Sequence, residues 1–402
     1  MEMMERNEAT IRFVREHRED DVRALALKAR RDSDVDLTWA LDQIQGWQTA
    51  RKKLPVWAAI DGIVYPPHLS MEQCSSEQTA IYKCGIIEQL PTACRETLID
   101  LTGGFGVDFA FMARGVKHGV YVERQEHLCK AAEHNFGLLG LNHTRVLHAE
   151  AEDVLTQLST NPASTLLYLD PARRDSNSSR TYAIADCSPN VLELLDLLFK
   201  AGHHILIKLS PMLDWHKAVN DLGERVTDVH IVSVANECKE LLIMMSADNT
   251  GAPVIHCVND GQVMIYRPDE NDISPVIASS DEAVAFLYEP NASIMKAGCY
   301  GMLTQRFPVA AIAADSHLFI SSQYVADFPG RRFAVNAITS MNKKELAEAL
   351  KGVSRANVAT RNFPMTAQQL RKRLRLADGG EDYLFGTTTA SGQHVVYICR
   401  KA

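Results

Sequence analysis

The chain has 402 residues, 46% apolar and 23% charged, with a formal net charge of −8. That length exceeds one ordinary core and predicts two to four domains, while the composition is that of a globular rather than a disordered or fibrous chain. No run approaches the roughly 20 apolar residues that cross a bilayer, and nine cysteines without a CxxC pair give neither a zinc signature nor a disulfide framework.

The opening MEMMERNEATIRF is charged and lacks the apolar core of a secretory signal. Free thiols in a large chain point to a reducing compartment. A cytoplasmic protein is therefore expected, with no membrane partner and no metal.

Residues 1–90 read as a helical domain. VRALALKARRDSDVDLTWALDQIQGWQTARKKL spaces its apolar residues by three and four. YPPHL (65–69) breaks the pattern, and Ser75, Ser76 and Glu77 open a further helix. From 91 to 247 the rhythm changes. TLIDL, GVYVE, TRVLHA, TLLYLD and HILIKLS are short β-rich runs separated by helical patterns, and VHIVSV and LLIMMS are joined by ANECKE as a hairpin. Five βα units closed by an antiparallel hairpin predict an α/β fold: an open, doubly wound, Rossmann-like sheet.

Residues 248–330 predict a small α+β subdomain. It has a hairpin from PVIHCV to QVMIYR over NDG, one helix within EPNASIMKAGCYGMLTQRF capped by Asn291, and a strand at FISSQYV. Residues 331–402 predict β-α-β-α-β-β, with Asn342 capping the first helix, TAQQLRKRLRL as a basic second helix, and a closing hairpin over ASG. This last segment carries 13 Lys+Arg against 5 Asp+Glu, which is +8 there and −16 over the other 330 residues. A basic domain on an acidic body suits a polyanionic partner, or is simply a solvated basic face.

Chemistry concentrates in LIDLTGGFGVDFA. A strand ends in Asp100, and Gly103, Gly104 and Gly106 follow where the first crossover of an open sheet meets its ligand. A dinucleotide site wants G-x-G-x-x-G, but Phe109 stands where the third glycine belongs. Asp100 and Asp108 would also repel a pyrophosphate, so an NAD-dependent dehydrogenase is the weakest reading. Acids suit a cationic ligand without phosphate, such as S-adenosylmethionine (SAM). Glu123 ends the second strand, where a carboxylate can bridge ribose hydroxyls. Glu150 or Asp153, after the third strand, is placed to accept from an adenine amino group, with Ala151 against the ring.

After the fourth strand comes Asp170-Pro171-Ala172-Arg173. Proline stiffens the strand exit, and the Asp170 carboxylate with the loop carbonyls can align an exocyclic amine by accepting its hydrogen bonds. Arg173 and Arg174 are candidates to hold a phosphate of the acceptor, with surface salt bridging the alternative. Lys208, on the fifth strand, either faces the site or pairs with an acid. Ser210 follows the fifth strand in KLSPMLD. The Arg-ended loop resembles that of RNA enzymes methylating uracil carbon or ring nitrogen, and the resemblance implies a cysteine nucleophile at Ser210's place for the carbon-methylating kind, which disfavours that chemistry here. Cys187 reads as a buried thiol.

The order D-L-T-G-G-F-G-x-D, Glu123, an acidic turn and DPAR resembles the class I SAM-dependent methyltransferases over about 97–246. The DPAR loop is similar to the (D/N)-P-P-(Y/F/R) loop of base-methylating enzymes. It departs by Ala172 in place of the second proline and Arg173 in place of the stacking aromatic.

The whole chain resembles a bacterial family of such enzymes with a THUMP-like C-terminal domain. The resemblance rests on KLPVWAA (53–59), YPPHLSMEQCSSEQTAIYK (65–83), LIDLTGGFGVD (98–108), DPARR (170–174), YEPNASIMKAG (288–298) and NFPMTAQQLRKRLRL (362–376). It implies SAM as cofactor, with Thr102, Phe105 and Arg124 joining the binding residues above. Ser75, Ser76 and Glu77 either lid the cofactor or pack on the sheet. It also implies N-methylation of an RNA base in tRNA or rRNA. Arg361, Arg371, Lys372, Arg373 and Arg375 are then the candidates for phosphate contact. Two other functions stay open: a small-molecule methyltransferase with a basic oligomerisation domain, and a catalytically silent RNA-binding protein.

Overall fold

The computed structural model describes residues 7–28, 34–157, 159–173, 183–271, 273–279 and 283–402. They form two compact units, one of residues 1–227 with 241–251 and one of 228–240 with 252–402.

The first unit begins with six helices: α1 (Glu8–His17), α2 (Val22–Lys28), α3 (Leu37–Lys53), α4 (Pro55–Ala58), α5 (His68–Gln73) and α6 (Glu77–Glu88). Helices α1 and α3 start at side-chain caps, with the Asn7 side chain accepting from Thr10 N at 2.8 Å and Asp36 accepting from Trp39 N at 3.2 Å. Ala40, Ile44, Ala50, Leu54 and Trp57 are fully buried and supply the apolar face of this region.

Then come β1 (Thr97–Asp100), α7 (Val107–Met112), β2 (His118–Glu123), α8 (Glu126–Leu138), β3 (Thr144–His148), α9 (Ala151–Gln157) and β4 (Thr165–Leu169). A short ladder pairs β5 (Ala172–Arg173) with β6 (Cys187–Ser188). The chain continues through α10 (Val191–Ala201), β7 (His204–Leu209), α11 (Trp215–Leu222), β8 (Val226–Val234) and β9 (Glu237–Ser246). Within this unit the strand order is β9-β7-β4-β1-β2-β3, parallel except for β9 against β7. Leu98, Leu166, Leu167, Leu169, Ile205, Leu206 and Ile207 are wholly buried, as in a sheet covered on both faces. Strand β8 passes to β9 through Ala235 and Asn236, both at positive φ, giving the closing hairpin. The order reverses between β1 and β4, so the crevice at their carboxyl ends is the switch point of the fold.

In the second unit, β10 (Val254–Asn259) lies parallel to β8 and antiparallel to β11 (Gln262–Tyr266), turning at Asp260, φ +52°. A second sheet follows from β12 (Phe286–Pro290), β13 (Ala310–Ala311), β14 (Phe319–Ser321), β15 (Gly330–Ser340), β16 (Arg355–Arg361), β17 (Ala377–Thr388) and β18 (His394–Lys401). Its order is β13-β14-β12-β15-β18-β17-β16. Helices α12 (Ala292–Ala297) and α13 (Tyr300–Arg306) stand where the sequence suggests one helix, because Gly298 at φ +72° ends the first. Strand β12, not expected from the sequence, pairs with β15 from Phe286 opposite Ala334 to Pro290 opposite Gly330. The basic segment has the expected order β15-α14-β16-α15-β17-β18, with α14 (Lys343–Ala349) capped by Asn342 and α15 (Ala367–Leu374) by a Thr366/Gln369 capping box.

Candidate active site at the glycine corner

The site is built where β1 ends. Asp100 is 1% exposed, and its Oδ1 accepts from Thr102 N at 2.9 Å. Burial pushes its carboxyl well above the usual range; Thr102 N–H opposes this, and the charges of Asp108, Asp170 and Glu123 add to it.

The glycines answer steric demands. A Cβ on Gly103 would lie 2.2 Å from the Tyr121 ring, and one on Gly106, at φ +83°, 2.9 Å from Phe136. Gly104 differs. At φ +58° it takes a conformation that favours glycine, and a Cβ there would meet only Thr102 O, at 3.9 Å. The corner is therefore packed beneath Gly103 and Gly106 and open above Gly104. Gly103→Ala should displace Tyr121 and break its 2.5 Å hydrogen bond to Gly104 O. The expected outcome is a melting temperature several degrees lower and weaker cofactor binding, read by calorimetry.

Glu123 is 7% exposed at the end of β2. Its Oε2 accepts from Gly104 N at 2.8 Å and its Oε1 from Gln125 N at 2.9 Å. Each oxygen keeps a second lone pair for a ligand hydroxyl. Arg124 and Glu150 are exposed, Ala151 is buried and Asp153 is exposed at the start of α9. Phe105 does not line the open side: it is 5% exposed and meets Trp57 edge-on at 4.9 Å.

Asp108, in the first turn of α7, points inward. Its Oδ2 accepts from Ser75 Oγ and Tyr168 OH, both at 2.7 Å. Lys83 Nζ lies 3.2 Å from Oδ1 as an ion pair rather than an aligned hydrogen bond, and Lys208 Nζ lies 3.7 Å from Oδ2. Burial pushes the carboxyl up, but Lys83 and Lys208 outweigh it and hold it at about 2. Lys83 comes from α6 and is completely buried. The structure thus brings Ser75 and Lys83 to the corner. Ser76 instead caps α6, and Glu77 accepts from Val56 N at 2.8 Å.

The acceptor side is tied to the corner directly. Asp170 N donates to Thr102 Oγ1 at 2.6 Å, and Lys208 Nζ donates to Asp170 Oδ2 at 2.5 Å. Lys208 therefore both faces the site and pairs with acids. The Asp170 side chain is 39% exposed, Pro171 is buried and Ala172 exposed. Arg173 contributes backbone to β5; its side chain and Arg174 lie outside the described residues. Cys187 is buried.

In the second unit Arg361 Nη2 donates to Glu289 Oε1 at 2.9 Å, and Glu289, 2% exposed, also holds Arg331. Arg371 pairs with Asp378. Lys372, Arg373 and Arg375 are exposed.

Lys83, Thr102 and Tyr168 carry contacts that motif reading did not assign. The signal for Lys83 was present, since a lysine interrupts the apolar run around TAIYKCGII.

A glycine corner at the switch point of a parallel sheet closed by an antiparallel strand, ringed by acids at two successive strand ends, is the arrangement of a class I SAM-dependent methyltransferase. Comparison with known proteins narrows the class. The THUMP domain-like family model matches residues 330–401, and a ferredoxin-like domain model matches residues 286–329. The crystal structure of a provisionally assigned methyltransferase from Porphyromonas gingivalis W83 is 32% identical over 98% of both chains, with a TM-score of 0.84. The chain belongs to the same family, class I SAM-dependent methyltransferases with a THUMP-like C-terminal domain. An rRNA methylase from Streptococcus thermophilus is similar at 17% identity over 41% of this chain and 94% of its own, TM-score 0.31. A provisionally assigned methyltransferase from Streptococcus mutans, solved with SAH, is similar at 15% identity over 41% and 95%, TM-score 0.30. No curated protein matches the chain.

Proposed function

We propose that the chain transfers a methyl group from SAM to a nitrogen of an RNA base. The observation that carries this reading is the 2.6 Å hydrogen bond from Asp170 N to Thr102 Oγ1. It joins the corner that suits the cofactor to the loop that suits the acceptor, so the two reactants would meet side by side.

The corner's residues fit the cofactor. The space a Cβ on Gly104 would enter is open, and the donor set is acidic where SAM is cationic. Asp100 and the loop carbonyls would hold the ammonium, Glu123 the ribose hydroxyls, and Glu150 or Asp153 with Ala151 the adenine. Bound there, SAM supplies an electrophilic methyl group. Asp170 would accept from the acceptor amine and aim its lone pair, and Lys208 fixes that carboxylate in place. Lys372, Arg373 and Arg375 are the exposed charges best suited to RNA phosphates, and their contribution falls with salt.

The test is transfer of labelled methyl from SAM to total RNA of a strain lacking the gene. Wild type should label RNA, and Asp170→Ala should lose label by at least about 100-fold, the order expected when an aligning group is removed. No label from wild type, with SAM binding shown by calorimetry, would sink the RNA reading. One observation favours a small-molecule acceptor instead: Arg361 and Arg371 spend their charge on Glu289 and Asp378. In that case SAM binding persists without salt-sensitive RNA binding.

A further inference from the structure

Strand β8 places Asp228 and His230 two residues apart, so both project from one face of the strand. Strand β10 runs parallel beside it, in a register that sets His256 opposite His230. Two imidazoles and one carboxylate thereby converge, each offering a ligating atom within 4.8 Å of the others. His256 Nε2 is 2.9 Å from Asp228 Oδ1, and the two rings stack at 4.2 Å with 18° between their planes. His230 is 4% exposed, whereas the His256 and Asp228 side chains keep 15% and 32%.

Aliphatic side chains are the usual filling of such a face, and Val232 and Val258 occupy its next positions. Burying two imidazoles and a carboxylate carries a desolvation cost that valines would avoid. The parallel register brings a second imidazole, that of His230, against the His256–Asp228 pair.

We propose that Asp228, His230 and His256 form a binding site for a divalent first-row transition ion such as Zn2+. Two nitrogens and one carboxylate oxygen are a ligand set such ions take, with water completing the shell. The ion would replace the proton between His256 Nε2 and Asp228 Oδ1, which leaves to solvent. At metal–ligand distances of roughly 2.0–2.2 Å, donors in a tetrahedral shell stand about 3.3 Å apart. The cluster reaches that spacing by rotation about χ2, a soft torsion in histidine, which opens the stack and turns both lone pairs to one point. The part-exposed side of Asp228 and His256 is the way in. The bound ion would tie β8 to β10.

The test uses the full chain stripped with chelator and titrated with Co2+ and with Zn2+. Cobalt separates this site from the nine thiols, because nitrogen and oxygen ligands give visible d–d bands without the near-ultraviolet thiolate charge-transfer band. The expected result is one ion per chain, d–d bands alone, and a Zn2+-dependent rise in melting temperature. Affinity should fall at least ~10-fold in His256→Ala and in the isosteric Asp228→Asn, the lower end of what disturbing a metal shell costs. Asp228→Asn keeps the shape of the cluster, so it guards against a misfolded His256→Ala. Absence of stoichiometric binding, thiolate bands, or affinity unchanged in both variants overturns the proposal.

Discussion

Lys83→Met is expected to remove about 3–5 kcal/mol of stability, the cost of leaving a buried charge without its partner. Lys83 has no exposed surface, so water does not replace it, and among the described residues Asp108 then keeps Lys208 at 3.7 Å as a counter-ion beside the neutral donors Ser75 and Tyr168. The measurement is a denaturant melt of wild type, Lys83→Met and Lys83→Met/Asp108→Asn. The double variant should recover most of the loss, because it removes the stranded charge with its partner. A single variant within about 1 kcal/mol of wild type would refute the role given to Lys83, since typical surface changes are about that small.

The same pair sets an acid limit. Asp108 is held at about 2 against its ordinary 3.8, so its contribution is fully present above 3.8 and is lost as pH falls from 3.8 through 2. In Lys83→Met the unfolded carboxyl still titrates at its ordinary value while burial raises the native one, so this acid loss should shrink rather than move to higher pH.

The corner was legible because its parts are local. A strand ending in an acid, three close glycines and an acid at the next strand end are short-range features, and the alternation of β and helical runs fixes the order in which they meet. Asp100, Glu123 and Asp170 accordingly stand at strand ends of one sheet. What escaped reading depends on contacts between distant segments. Lys83 meets Asp108 across 25 residues, and Thr102 meets Asp170 across 68. Periodicity shows that a lysine interrupts an apolar helix but not which carboxylate awaits it. Asp108 looked like a cofactor ligand because it sits in a helix's first turn, and only packing shows that it faces Ser75, Tyr168 and two lysines. Strand β12 was missed for another reason: FLYEP is short, ends in proline, and gains its β character by pairing with β15.

Asp100→Asn should make the protein more stable at pH 7 and poorer at binding SAM. Asparagine keeps an oxygen for Thr102 N and removes a charge that burial and three neighbouring carboxylates disfavour. Because the native carboxyl lies above its ordinary 3.8, the charged form weakens the fold at neutral pH, and that penalty fades as pH falls through the native value toward 3.8. The gain at pH 7 has the sign that burial and the neighbouring carboxylates give it. It should show as a higher melting temperature than wild type, with the two curves converging near pH 4. Binding moves the other way. A hydrogen bond between charged groups is worth roughly 1.5–3 kcal/mol, so losing the carboxylate opposite an ammonium should weaken SAM about 10- to 100-fold by calorimetry. A melting temperature that falls in Asp100→Asn would mean the charge is already balanced in the free protein. Unchanged SAM affinity would mean the ammonium binds elsewhere. A stabler protein that binds less well is the result expected if Asp100 is held in a costly charged state for a cation that arrives with the cofactor.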